Sequence, residues 1–188
     1  MSDPRLIVGI DASPGVTYGV RLAALLAEMG IASDIVVAGD AKPFFEVEGI
    51  AALPATRAGD EVLEASPGFQ GMILAPCGPE TLARIAAGQA ESLLARMANA
   101  TLAQGRRLVV LDLASRLDLP HIRHMEQATQ RGAIVYPPVP AFYARPKDLD
   151  EMIAHTLGRV LDLFDIDSGT VRRWRETSGK SRRGNQAG

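Results

Sequence analysis

Residues 6–15 of the chain read Leu-Ile-Val-Gly-Ile-Asp-Ala-Ser-Pro-Gly, a short apolar run followed by a turn-rich stretch. The apolar, mostly β-branched residues 6–10 predict a strand buried on both faces. Across residues 18–29 the apolar side chains recur at helical spacing, and Gly30 ends the pattern. Residues 34–38 predict a second strand. The order of strand, glycine-containing turn, helix and strand is typical of the start of a doubly wound parallel sheet.

The alternation of strands and helices continues along the chain. Further strands are predicted at residues 71–75, 107–111 and 133–136, and further helices at residues 121–130 and 148–164. Residues 76–81 are predicted to form a loop that opens a helix, and residues 51–70 a loop or small excursion. Right-handed crossovers would stack these units into three layers. The predicted fold class is therefore α/β, a three-layer α/β/α sandwich with a Rossmann-like, doubly wound parallel sheet.

Size and composition favour a soluble globular protein. The chain has 188 residues, of which 47% are hydrophobic and 22% charged, and this suits one sizeable core. A net charge of −2 gives no reason to expect nucleic acid or a membrane as a partner. The single cysteine, Cys77, excludes an internal disulfide and a cysteine-rich metal site, and fits a cytoplasmic location. The apolar run at residues 6–10 is too short for a signal peptide or a membrane span.

One domain is predicted over residues 1–166, followed by a basic tail at residues 167–188. The end of the tail contains Lys180, Arg182 and Arg183 but almost no apolar side chain. Such a composition favours disorder. A tail that bridges subunits or binds an anion weakly is the alternative.

Three loops are expected at the edge of the sheet where ligands of this architecture bind, namely residues 11–17, 38–42 and 76–81. The first and third run into helices, so their backbone N–H groups would be placed to hold a phosphate. The first loop is neither a Walker A loop nor a complete Gly-x-Gly-x-x-Gly motif. The residues alone leave two roles open for this loop: it binds a ligand, or it serves only as a turn.

A proline-rich segment follows the last predicted strand. It reads Tyr136-Pro-Pro-Val-Pro-Ala-Phe-Tyr-Ala-Arg-Pro146 and contains four prolines and three aromatic residues. The prolines fix the backbone of a loop at the functional edge of the sheet, which favours a pre-organised site. A rigid connection that packs its aromatic side chains into the core is the other interpretation.

Ten short segments, in consistent order from about residue 5 to residue 174, share the pattern of one known family. They are Arg5-Leu-Ile-Val-Gly-Ile10, Tyr18-Gly-Val-Arg-Leu22, Gly71-Met-Ile-Leu-Ala-Pro-Cys77, Thr81-Leu82, Leu93-Leu-Ala-Arg96, Gly132-Ala-Ile-Val-Tyr136, Pro137-Pro-Val-Pro-Ala-Phe-Tyr143, Arg145-Pro146, Arg159-Val-Leu-Asp162 and Arg173-Trp174. Together they resemble the UbiX-like flavin prenyltransferases, a flavoprotein family formerly called aromatic acid decarboxylases.

The resemblance implies an activity, a cofactor and partners. Members of that family bind FMN in a homo-oligomer, usually a dodecamer, with sites at subunit contacts, and they need no metal. They join a dimethylallyl group from dimethylallyl phosphate to N5 and C6 of the reduced flavin. The prenylated cofactor is then used by a partner decarboxylase.

Carried over position by position, the resemblance implies a site for the prenyl donor. Arg96, Tyr143 and Arg159 match the residues that hold the donor phosphate, and guanidinium and phenol groups suit phosphate oxygens. Glu48 matches a carboxylate that lines the active site, which makes it the predicted catalytic residue. Trp174 matches an aromatic side chain that covers the isoprenyl group. Structural roles stay open as well, with Tyr143 in the core and Glu48 solvated.

The resemblance also implies a flavin side of the pocket. The predicted cofactor-binding residues are Ser13, Gly15, Gly78, Thr81 and Arg116. Thr81 matches a contact to the flavin phosphate, whereas Ser13 and Gly15 lie in the first loop. Gly78 retains a backbone donor, and Arg116 would swing into the place of a missing family arginine.

This flavin side departs from the family pattern at several positions. Pro14, Ala38 and Gly78 stand where the family has serines, so three hydroxyls are lost. Leu113-Ala114 stands where the family has an arginine that contacts flavin and a glutamate that handles protons. Ala103 matches an anion-site lysine. The loss of a general acid/base alone lowers rates by roughly 10²–10⁴.

Four functions therefore stay open at this stage. The first is flavin prenylation, with Asp112 or Asp118 replacing the lost glutamate. The second is a flavoprotein that carries flavin or performs redox chemistry without prenylation, and the third is a binding protein that has lost flavin. The last, a cysteine-decarboxylating flavoprotein, is disfavoured because it needs a histidine in the first helix. The histidines of this chain, His121, His124 and His155, all come late.

Overall fold

A parallel β-sheet forms the centre of the first part of the chain. In the computed structural model, which describes residues 5–51 and 68–174, five strands are present: β1 (Arg5–Ile10), β2 (Ala32–Val37), β3 (Gly71–Cys77), β4 (Arg107–Asp112) and β5 (Ala133–Tyr136). They pair in parallel in the order β2-β1-β3-β4-β5. This is a doubly wound order that reverses between β1 and β3. The predictions of all five strands are confirmed, with small differences at their ends.

Helices connect and flank these strands. They are α1 (Val16–Glu28), α2 (Lys42–Val47), α3 (Pro79–Ala87), α4 (Leu93–Ala103), α5 (Leu119–Gln130) and α6 (Leu149–Asp162), with a short 3₁₀ turn at Phe142–Ala144. The predicted helices at residues 18–29, 121–130 and 148–164 are confirmed as α1, α5 and α6. The predicted loop at residues 76–81 is too long, because β3 runs to Cys77 and α3 begins at Pro79. Gly78 alone joins them.

The two faces of the sheet are covered by different helices. On one face, Ile7, Met72 and Leu108 belong to a buried apolar cluster that includes side chains of α3, α4 and α5. On the other face, α1 packs against β1, β2 and β3. Gly19 makes this approach possible, because a Cβ there would collide with the Ala75 carbonyl oxygen and with Ile10. The predicted α/β sandwich is thus confirmed.

The chain divides into two compact units, Met1–Pro138 and Val139–Gly188. The second unit contains the 3₁₀ turn and α6, and residues 168–172 fold back within it. The Thr170 hydroxyl donates to the Ala154 carbonyl at 3.0 Å, and Arg172 Nη1 donates to the Ala144 carbonyl at 2.8 Å. The assignment of residues 1–166 to one domain stays a prediction.

Some predictions concern residues that the structure does not describe. Most of the loop predicted at residues 51–70 lies at 52–67, outside the described residues, and so do residues 175–188 of the tail. Among the residues that are described, no helix is long and apolar enough to cross a membrane.

Candidate functional site

The reversal of strand order places a crevice at the carboxyl ends of β1 and β3. Two cavities open there, of ≈ 300 and ≈ 360 Å³, and Ser13, Gly78 and Pro79 line both. Thr81 lines the larger cavity and Arg116 the smaller one. The structure therefore brings four of the five predicted cofactor-binding residues to one place in the Met1–Pro138 unit.

Gly15, the fifth predicted cofactor-binding residue, is the N-cap of α1. It has φ 96° and ψ 18°, a left-handed conformation that favours glycine. The side chain of Leu113 lies where a Cβ on Gly15 would be. Leu113 also lines the smaller cavity, so the residue in the place of the family arginine packs against the first loop.

Asp11 follows β1 directly and is only 8% exposed. Its Oδ2 accepts a hydrogen bond from the Gly78 N–H at 2.8 Å, and its Oδ1 accepts one from the Ala12 N–H at 2.9 Å. One carboxylate thus joins the carboxyl end of β1 to the start of α3. Asp11 was not among the predicted site residues, although a charged residue directly after a buried strand is a signal that a site begins there.

Glu48 lies just after α2 and reaches the N-terminus of α1. Its Oε1 accepts a hydrogen bond from the Gly15 N–H at 2.5 Å, and its Oε2 accepts from the N–H (2.9 Å) and hydroxyl (2.6 Å) of Thr17. Partial burial acts to raise the pKa of Glu48, but the hydrogen bonds from Thr17, Gly15 and Val16 outweigh it and lower the pKa below its usual value. The predicted catalytic carboxylate is therefore ionised and bound to the backbone of α1.

These contacts correct one prediction about the first loop. The N–H groups at residues 11–17 were expected to be available to a phosphate. Instead, the N–H of Ala12 binds Asp11 Oδ1 and the N–H of Ser13 binds the Asp11 carbonyl at 3.0 Å. The N–H groups of residues 15–17 bind Glu48, and Pro14 has none. The prediction was wrong because two carboxylates of the chain itself already satisfy the loop.

Each aspartate that was proposed to replace the missing family glutamate already has a partner, and the replacement role stays a prediction. Asp112 Oδ2 lies 2.6 Å from His121 Nε2, and both side chains are buried. Asp118 Oδ1 accepts a hydrogen bond from the His121 N–H at 2.9 Å and so caps α5. Both carboxylates instead fix the segment that carries Leu113 and Arg116 to α5.

Cys77 lies at the end of β3, fully buried beside the smaller cavity. Burial raises the pKa of its thiol well above the usual value, and the negative charges of Asp11 and Asp112 raise it further. The thiol is therefore protonated and unreactive, which argues against a nucleophilic role.

The predicted donor-site residues lie in both units. Arg96 is exposed on α4 in the first unit. In the second unit, the ring of Tyr143 makes edge contacts with the rings of Trp174 (5.4 Å between centroids) and His155 (5.8 Å). Arg159 is exposed on α6, with Nη1 3.9 Å from Asp162 Oδ2.

Asp162 is a further residue of this second unit that the sequence analysis did not assign. Besides Arg159, it binds Arg173 through two contacts, of 3.0 and 3.2 Å. Arg173 directly precedes Trp174, the predicted lid, which is 63% exposed. The spacing Arg159-Val-Leu-Asp162 was a signal, because residues three apart on a helix are neighbours.

Comparisons with known proteins agree with this geometry. A family model described as Flavoprotein matches residues 1–159. The chain is 35% identical over 181 residues to a flavin prenyltransferase UbiX of Thauera aromatica, which covers 90% of this chain and 93% of that protein. It is 38% identical over 174 residues to the flavin prenyltransferase UbiX of Escherichia coli K12, which covers 86% of this chain and 92% of that protein.

Two solved structures are similar in fold and in sequence. AnUbiX (PadA1), in complex with FMN and dimethylallyl pyrophosphate, superposes with a TM-score of 0.81 at 30% identity, over 92% of this chain and 97% of that chain. A dodecameric FMN-dependent UbiX-like decarboxylase from Escherichia coli O157:H7 gives a TM-score of 0.80 at 33% identity, over 90% of this chain and 98% of that chain. With its fold, its crevice at the sheet edge and these relatives, the chain belongs to the flavoprotein family, among the UbiX-like flavin prenyltransferases.

Proposed function

We propose that the chain binds FMN at the carboxyl ends of β1 and β3 and prenylates it when the flavin is reduced. The observation that carries this proposal is the pair of cavities that share Ser13, Gly78 and Pro79 at the switch point of the sheet. Their volumes, ≈ 300 and ≈ 360 Å³, fall in the range of sites for small molecules. The complex of AnUbiX with FMN and dimethylallyl pyrophosphate supports it.

The residues around these cavities fit the ring and the polyol chain of a flavin. Ser13 and Thr81 supply hydroxyls, and Arg116 supplies a cation at the smaller cavity. Leu113, Pro14 and Pro79 supply apolar surface. The flavin phosphate has fewer hydrogen-bond donors, since the Gly78 N–H is bound to Asp11. The proposed flavin site thus depends on stacking and on side-chain hydroxyls more than on backbone donors.

The donor is proposed to be dimethylallyl phosphate or a similar small phosphate, held by Arg96, Tyr143 and Arg159. An arginine offers parallel N–H donors to two phosphate oxygens, and a phenol offers one O–H. When reduced flavin is bound, it would supply the electron pair that bonds to the dimethylallyl carbon. The bond from that carbon to the phosphate oxygen would break, and the phosphate would leave with its electrons. Arginine side chains stabilise that leaving charge. Trp174 is proposed to cover the isoprenyl group.

For Glu48 the contacts support a positioning role. Its carboxylate is occupied by three hydrogen bonds from Gly15 and Thr17. It therefore joins the end of α2 to the start of α1, and the catalytic role predicted for it stays a prediction.

The proposal extends to assembly and location. We infer a homo-oligomer, a dodecamer like the UbiX-like decarboxylase of similar structure, whose product serves a partner decarboxylase. A cytoplasmic location is proposed because Cys77 is a free, buried thiol. No metal is part of the proposed mechanism.

The test is an anaerobic incubation of the purified protein with reduced FMN and dimethylallyl phosphate. Mass spectrometry of the flavin should show the gain of one isoprene unit. The Arg159→Ala variant should lower kcat/KM for the donor by about 10²-fold, because one donor to the leaving phosphate is lost. The exposed Arg123 of α5 offers a matched control, and Arg123→Ala should leave the rate unchanged. A flavin whose mass does not change with the wild-type protein would contradict prenylation.

Two observations favour a second candidate function, flavin binding without prenylation. Leu113 packs on Gly15 where the family has its flavin-contacting arginine, and Asp112 is bound to His121. A protein that purifies with flavin, or binds it on titration, and yet never adds the isoprene unit would support this second function.

A further inference from the structure

The start of α3 is already occupied by a negative charge. Gly78 is its N-cap and Pro79 its first residue, and Pro79 has no N–H to offer. The Gly78 N–H, which would point at a bound anion, is bound to Asp11 Oδ2 at 2.8 Å. A helix N-terminus of this kind attracts a phosphate only while its donors are available.

The start of α1 is occupied in the same way. The Glu48 carboxylate binds the N–H groups of Gly15 and Thr17, and the lowered pKa keeps it ionised at neutral pH. Its charge therefore satisfies the positive end of the α1 dipole. The chain's own carboxylates thus lie at both helix N-termini of the switch point, where Glu48 binds the first donors of α1 and Asp11 binds the N-cap donor of α3.

The wall of the larger cavity adds further negative charge. Asp11, Asp40 and Glu80 line it, and Arg84 is its single lysine or arginine among the residues that the structure describes there. Arg84 Nη2 lies 2.5 Å from Glu80 Oε1, so its charge is already balanced. A phosphate that enters this cavity meets the negative charges of Asp11 and Asp40, and the one cation of the described lining is already paired. These charges oppose the hydrogen bonds that the Glu80 and Thr81 N–H groups at the start of α3 offer it.

We propose that the 5′-phosphate of the flavin contributes no net affinity in this chain, because the negative charges of Asp11 and Asp40 offset the hydrogen bonds that the start of α3 offers it. This inference rests on the proposed flavin-binding function. The pocket recognises the ring and the polyol chain alone, so riboflavin binds as tightly as FMN. Asp11 is the residue that determines this specificity, since its carboxylate is bound to Gly78 and lines the cavity.

The experiment compares oxidised FMN and riboflavin by titration of flavin fluorescence. For the wild-type protein the two dissociation constants should agree within about threefold, because the phosphate adds no net interaction. In Asp11→Asn the side-chain oxygen still accepts the Gly78 N–H, but the charge is gone. FMN should then bind about tenfold more tightly, while riboflavin changes by less than about twofold.

Glu46→Gln is the matched control, because it removes one negative charge from an exposed side chain of α2 and should change neither constant. Thermal unfolding of each variant shows whether Asp11→Asn is folded. The ratio of the FMN and riboflavin dissociation constants of the wild-type protein tests the proposal without any variant. If the wild-type protein binds FMN at least tenfold more tightly than riboflavin, the inference is overturned and the proposed function stays intact. Equal binding that Asp11→Asn does not alter overturns the role of Asp11. A protein that binds neither flavin overturns both proposals.

Discussion

At the scale of single residues, carboxylates dominate the candidate site. Asp11 and Glu48 bind backbone N–H groups around the first loop, and Asp112 binds His121 behind it. Each acid lies at or just beyond the end of a strand or helix, where backbone N–H groups have no partner within the secondary structure. Acids of the chain itself therefore satisfy several backbone donors next to the positions, such as Pro14 and Gly78, that depart from the family pattern.

The pH dependence of stability should report on Glu48. Its folded pKa lies below the usual value of 4.5, so its contribution is fully present above about that pH and is lost as the pH falls through the folded pKa. Glu48→Gln should therefore lower the free energy of unfolding by about 1 kcal/mol at pH 7, as loss of a helix-capping charge does. Urea unfolding from pH 7 down to pH 3 measures the difference. The exposed Glu46→Gln variant should show no comparable change, and a Glu48 contribution that grows on acidification would contradict the assignment.

At the scale of helices and strands, the sequence predicts the elements whose buried side chains form a clear apolar pattern. All five strands were predicted because each contains a short apolar run, which in β1 and β3 is buried on both faces. The helices α2 and α4 were missed. The six residues of α2 are too few for a periodic pattern. Three of the five buried side chains of α4, Ala95, Ala98 and Thr101, are small, which weakens its apolar signal.

The contacts that define the site were less predictable than the elements. The bond from Asp11 to Gly78 joins residues 67 positions apart, and the contacts of Glu48 with α1 span 31 to 33 positions. Such pairings follow from tertiary structure, which local pattern does not encode. The family resemblance named the residues of the site but did not show that two of its acids bind backbone donors.

The connection between α6 and the segment after it can be tested at Asp162. This residue binds Arg173 at 3.0 and 3.2 Å, next to Trp174, and Trp174 is the only tryptophan of the chain. Asp162→Asn should loosen the edge contact between Trp174 and Tyr143, and so shift the tryptophan emission to longer wavelength. Global stability should change by less than about 1 kcal/mol, because the pairs are partly exposed.

The exposed acid Asp150, in the first turn of α6, provides the control for this measurement. Asp150→Asn removes the same charge from the same helix and should leave the emission maximum unchanged. An unaltered spectrum in Asp162→Asn would show that Trp174 is held without this carboxylate.

At the scale of the whole molecule, large apolar side chains remain on the surface. Val139, Phe142, Leu149 and Trp174 of the second unit are 74%, 74%, 67% and 63% exposed. Exposed apolar surface of this kind is typical of subunit contacts. Together with the dodecameric UbiX-like neighbour, it supports the proposed homo-oligomer.

Substitution at Phe142 should therefore weaken assembly without unfolding the subunit. Phe142→Ser removes an aromatic side chain that is 74% exposed within the chain, so the free energy of unfolding of the subunit should change little. A contact between copies that buries this side chain would lose about 1.5–3 kcal/mol of association free energy at each site. Because a symmetric oligomer repeats that loss at every equivalent contact, the assembly should dissociate to smaller species at micromolar concentration. Sedimentation velocity measures this, with Arg123→Ala, a substitution at an exposed charged residue of α5, as control. If the wild-type protein sediments as a monomer, the exposed side chains have another role and the proposed assembly is wrong.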